Sequence, residues 1–101
     1  MHYLKGIIEH IRDEVEDVKT YAEEATVVRV DHPQLAALYA ELGNEEMRHA
    51  ERLHKMAVEM IERVRESGKE PPAYMKASWD FEHEMMIEDM GEAKALLDMF
   101  K

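Results

Sequence analysis

Apolar residues recur three and four positions apart along three stretches of the chain, the spacing of one helical face. In the first stretch the stripe is Leu4, Ile7, Ile8, Ile11, Val15, Val18, Ala22 and Ala25, which predicts a helix over about residues 4–29. Val27, Val28 and Val30 are β-branched and weaken helix preference at its end. Asp31-His32-Pro33 then reads as an acidic N-cap and a first-turn proline, with a tight turn near residue 31. A second helix over about 33–67 runs to the stop Ser67-Gly68 and would be roughly 50 Å long. Gly43 inside it reads as a mild weakness rather than a close helix approach. Pro71-Pro72 closes the linker, and a third helix is expected over about 73–100, with Met75, Trp79, Met86, Met90, Ala93 and Leu97 on one side. No strand signal, short repeat or low-complexity segment is present. The expectation is one all-α domain over residues 1–101, an antiparallel hairpin plus a third helix. Such a hairpin cannot bury its own stripes, so a four-helix core completed by dimerisation is expected.

Composition narrows the chemistry. Of 101 residues, 46% are apolar, which is normal for a folded domain and argues against disorder. Acids outnumber bases 23 to 13, for a net charge of -10, so nucleic acid and anionic membrane are excluded as main partners and cations are favoured. The absence of cysteine removes disulfides, zinc ribbons, iron–sulfur clusters and thiol catalysis. No uncharged apolar run approaches the roughly 20 residues of a membrane span. Glu9 falls too early for a signal-peptide core, so a cytoplasmic location is expected.

Glu-x-x-His occurs twice, at Glu46–His49 and Glu51–His54, and roughly one such match is expected by chance in so acidic a chain. A helical wheel separates the two. Leu35, Leu38, Tyr39, Leu42, Ala50, Leu53, Ala57, Met60 and Val64 all fall within about 80° of Glu46, and His49 lies about 60° away. Glu51 points about 140° away, to solvent, so the second match is discarded with its His54. Glu46 and His49 thus interrupt a long apolar face. An ionised carboxylate there is costly unless paired or bound to metal, and a buried Glu–His hydrogen bond competes evenly with metal binding. On the first helix Glu14 borders the stripe, while Glu9, Glu16 and Glu23 face outward. Glu14 lies about as far before the turn as Glu46 and His49 lie after it, so an antiparallel hairpin brings all three to one level, roughly 25 Å from the turn. A twofold dimer doubles this set to four Glu and two His, the inventory of di-iron and di-manganese bundles. Carboxylate oxygens with a minority of imidazole suit iron or manganese better than copper or zinc. Calcium takes more oxygens and no histidine.

These residues resemble the ferritin-like superfamily, and most closely its rubrerythrin and encapsulated-ferritin branch. Glu14 followed by Tyr21 is similar to that branch's first-helix pattern, and Asn44–Leu53, carrying Glu46-Met47-Arg48-His49-Ala50, is similar to its second-helix core. The resemblance covers residues 4–66; residues 72–101 match loosely. It implies a di-iron centre built between two chains, oxidising Fe(II) with dioxygen. Glu14, Glu46 and His49 would be the ligands, Tyr21 a hydrogen bonder close to the centre, and Asp13 and Glu16 acids that bring iron towards it. Thr20 stands where encapsulated ferritins have tryptophan. The resemblance also implies an encapsulin-type shell as partner, although Leu97-Asp98-Met99-Phe100-Lys101 lacks the flexible apolar tip that docks such cargo.

Other features read as packing or surface. Met56, Met60, Met86 and Met90 lie on core stripes and argue for filler, not copper. Glu82, His83 and Asp89 border the Trp79 face, His10 reads as a surface histidine, and Tyr39 and Tyr74 as packing residues. The favoured function is therefore ferroxidase-type iron handling, with manganese as the second metal. The alternative is a helical interaction or structural protein with metal incidental.

Overall fold

The computed structural model describes residues 2–100 and contains three α-helices and no strand among them. They are α1 (His2–Val28), α2 (Pro33–Glu66) and α3 (Ala73–Leu97), followed by a single 3-10 turn, Asp98–Phe100. Helix ends differ from the sequence expectation by a turn or less. The helices lie along one rod, 56 × 18 × 18 Å.

The connections show how the ends are satisfied. After α1 the His32 N–H closes on the Val28 carbonyl at 2.8 Å. The cap of α2 is His32, not Asp31: its Nδ1 accepts the Leu35 N–H at 3.1 Å, and Pro33 occupies the first turn. Asp31 is one position too early to reach that donor. At the other end Lys69 N–H donates to the Val64 carbonyl and Gly68 N–H to Arg65. Gly68 takes φ +82, the left-handed geometry that this double closure requires and that glycine adopts without strain.

The hairpin closes on two matched seams. On α1, Leu4, Ile8, Ile11, Val15, Val18, Ala22 and Ala25 are all buried, spaced alternately three and four. On α2 the buried residues are Ala36, Ala40, Gly43, Ala50, Ala57 and Ile61, nearly all small. Gly43 is a close approach and not a weak point. A Cβ there would stand 3.1 Å from Leu97 Cδ2 and 3.3 Å from Tyr21 Cβ. The larger residues of α2 sit one position over and are only partly covered: Leu35, Leu42, Leu53 and Met60 are half-buried, while Leu38 is 48% and Met56 46% exposed. Met56 is therefore not core filler within one chain.

α3 rests mainly on α1 and touches α2 lightly. Met75, Ala93 and Leu97 are buried, with Trp79, Met86 and Met90 packed beside them. Its outer side also carries apolar residues, including Tyr74, Phe81 and Ile87, all largely exposed, so Tyr74 is not a packing residue here.

Substituting Ala50, which is fully buried in the seam, should show how tight it is. Ala50→Leu is expected to lower unfolding stability by about 1–3 kcal/mol through overpacking. Ala37→Leu, exposed one position from the seam, should change it by less than about 0.5 kcal/mol. Urea unfolding of the two variants reads the difference.

Candidate metal centre

Glu14 and Tyr21 lie seven residues apart on α1, so they share one edge of that helix, beside the buried seam. Glu46 and His49 hold the matching edge of α2, one turn apart. The seam residues set the height: with Val15 and Ala50 both buried in one core cluster, their chain neighbours Glu14 and His49 meet beside it.

Glu14, Glu46 and His49 each offer one ligand atom, and these atoms lie within 4.8 Å of one another. His49 Nδ1 is 3.7 Å from Glu14 Oε2 and 3.6 Å from Glu46 Oε1, too long for hydrogen bonds. Glu14 Oε2 is cut off from solvent and has no hydrogen-bond partner. A buried carboxylate oxygen left so is expensive, and native structures rarely tolerate one without a reason. A cation among the three side chains would satisfy it, and two carboxylates with one imidazole suit iron or manganese. The residues fit such an ion.

Electrostatics agree with the geometry. The Glu46 carboxyl is held above its ordinary 4.5, first because a proton on it would be shared with the nearby Glu14 carboxylate, then by burial and by repulsion from Glu14; His49 acts the other way. Asp17 is also raised, by burial first and then by Glu46, Asp13 and Glu16. Asp17 is thus close enough to the centre to feel Glu46, and it joins Asp13 and Glu16 in one acidic patch. The sequence signals this, since Asp17 is one helical turn from Glu14.

The remaining candidates are dispersed. Asp13, Glu16, His10 and Glu51 are exposed. The Tyr21 ring packs against Tyr39, with centroids 6.1 Å apart, and no hydrogen bond joins it to the three-residue group among the described residues. Glu82 pairs with Arg12 of α1 at 3.3 Å, and His83 stacks on Trp79. Asp89 lines a groove between α1 and α3 and does not join the centre.

Fold and site together define an all-helical protein with a carboxylate-rich candidate metal centre on paired long helices. The family model for Rubrerythrin matches residues 8–98, and the chain belongs to that family. No curated protein and no solved structure matches it significantly.

The raised Glu46 carboxyl has a measurable consequence. A carboxyl whose pKa is higher in the folded than in the unfolded protein favours unfolding once the pH exceeds its ordinary 4.5. Glu46→Gln, which keeps bulk and removes charge, is expected to raise the melting temperature of chelator-treated protein at pH 7. The gain should shrink towards zero as the pH falls to about 4.5. A buried Glu–His bond without a metal role gives the opposite sign, a loss at pH 7.

Proposed function

We propose that two copies of the chain pair along the partly covered edge of the hairpin and hold iron between them, oxidising Fe(II) with dioxygen. The observation that carries this reading is the Glu14–Glu46–His49 group, with its buried and unpartnered Glu14 oxygen. Three protein ligands are few for a stable site, and His49 is half-exposed in the single chain. A second copy related by a twofold axis would supply four Glu and two His and would cover Leu38, Leu42, Leu53 and Met56. Membership of the Rubrerythrin family supports iron as the metal.

In this reading the two carboxylates of each chain hold the ion and favour its higher oxidation state, because their negative charge offsets the added positive charge. His49 supplies a neutral ligand whose orientation is set by the neighbouring turn of α2. Asp17, with Asp13 and Glu16, makes the local surface attractive to divalent cations. Tyr21, on the same edge as Glu14, would act from beside the centre as a hydrogen bonder rather than a ligand. Iron at the site supplies the redox chemistry; the chain supplies position, charge and cover. Manganese meets the same donor preferences.

Glu46→Ala is expected to reduce iron bound per chain at least tenfold, a loss of more than about 1.4 kcal/mol of binding. Glu51→Ala, on the exposed face, should leave it unchanged. Metal analysis after Fe(II) loading, with sedimentation of the same samples, tests both halves of the proposal. Wild type should sediment as a dimer with iron, and Fe(II) oxidation should track the metal content. A stable 11.8 kDa monomer with iron bound would overturn the shared site, and equal losses in the two variants would overturn the ligand assignment.

A further inference from the structure

Away from the carboxylate centre, three rings meet where α2 faces α3. His54 of α2 lies 5.3 Å from Trp79 and 4.9 Å from His83, with interplanar angles of 26° and 24°. Trp79 and His83 are one turn apart on α3 and stack on each other at 5.5 Å and 7°. His54 Nε2 is cut off from solvent and has no hydrogen-bond partner. Because α3 leans on α1 and barely touches α2, this stack is a principal tie between α2 and the first half of α3. Beside Trp79 lies a partly open cavity of about 250 Å³ lined by Leu4, Val58, Ile61 and Met75 among others.

The charges around the stack do not favour an imidazolium. On α3 the group facing it is His83; its chain neighbour Glu82 is held by Arg12 of α1 at 3.3 Å. Asp80 of α3 and Glu62 and Arg65 of α2 line the cavity beside Trp79. Glu51, one turn before His54 on α2, is exposed. Among the described residues none forms an ion pair with His54. A proton on its buried nitrogen would create a donor with no acceptor, and a second proton on His83 would set two like charges within 5 Å.

We propose that His54, Trp79 and His83 form an acid-sensitive clasp that ties the first half of α3 to α2, beside its main contact with α1, and that loosens this half when His54 is protonated. The far half stays seated, because Leu97 is buried against Gly43. Loosening opens the α2 side of this half, at Trp79 and Ile61, while the α1–α2 hairpin stays folded. The direction of the pH response follows from burial. Burial first, and the His83 charge second, push His54 below its ordinary 6.5. A histidine depressed in the folded state contributes stability that is complete above pH 6.5 and is lost as the pH falls below it. The clasp is closed at neutral pH and opens in mild acid, independently of any metal at the other centre.

Trp79 is the sole tryptophan, so its fluorescence reports on this junction alone. Between pH 7.5 and 5 its emission should move to longer wavelength and become more open to acrylamide quenching, while the helical circular dichroism is kept. His54→Phe/His83→Phe retains three rings but cannot titrate, and should show neither change. His49→Gln should still show both, which separates the clasp from the metal centre. As a second readout on unaltered protein, amides of residues 75–86 should lose exchange protection at pH 5 after correction for intrinsic rates, and those of 90–97 should keep it. An unmoved Trp79 spectrum down to pH 5, the same shift in the double variant, its loss in His49→Gln, or uniform loss of amide protection along α3 would each overturn the proposal.

Discussion

The close contact of α1 and α2 along small residues is the constraint on which the other features rest. Ala36, Ala40, Gly43, Ala50 and Ala57 let the two helix backbones approach, so the α1 seam from Leu4 to Ala25 fills the space between them. A seam that narrow buries only one line of side chains on each helix. The next line over is left at the edge: Leu35, Leu38, Leu42, Leu53 and Met56 on α2, Ile7 and Val28 on α1. Glu14, Tyr21, Glu46 and His49 all stand on that same edge. The packing of the hairpin therefore decides both which apolar surface remains for a partner and where the carboxylates gather.

Gathering them has an electrostatic cost that points to a cation. Glu14 and Glu46 are partly desolvated and close enough to share a proton, and Asp17 feels the same field. In a chain of net charge -10 only His49 among the groups acting on Glu46 offsets this repulsion, and the Arg12 guanidinium is engaged with Glu82. A fold selected for stability alone would place an apolar residue at Glu14. Retaining two carboxylates and an imidazole with one oxygen unpartnered makes sense when a divalent ion completes the set. The Rubrerythrin match is in line with that reading.

Much of this was legible from residue spacing. The period of apolar positions defined three helices, and the equal distances of Glu14 and Glu46–His49 from the turn brought those side chains together as the structure does. The seam was less legible. A wheel centred on Glu46 merged two adjacent stripes, because large Leu residues outweigh alanines in any apolar pattern, yet alanines and Gly43 make the helix contact. For the same reason Gly43 read as a weakness. Residue preference points to Asp31 as the cap, because histidine rarely fills that position, whereas the structure uses His32. On α3 apolar residues occur on every side, so periodicity alone cannot say that Tyr74 and Phe81 point outward or that His83 stacks on Trp79.

The central claim is that two chains place Glu14, Glu46 and His49 around shared iron. Anomalous diffraction from crystals of the iron-loaded protein, recorded on both sides of the iron absorption edge, addresses it in one measurement. The account predicts paired iron peaks about a twofold axis between two hairpins, each within coordination distance of Glu14, Glu46 and His49. Peaks only at exposed acids such as Glu23 or Glu51, or a single-chain site with no partner across it, would contradict it.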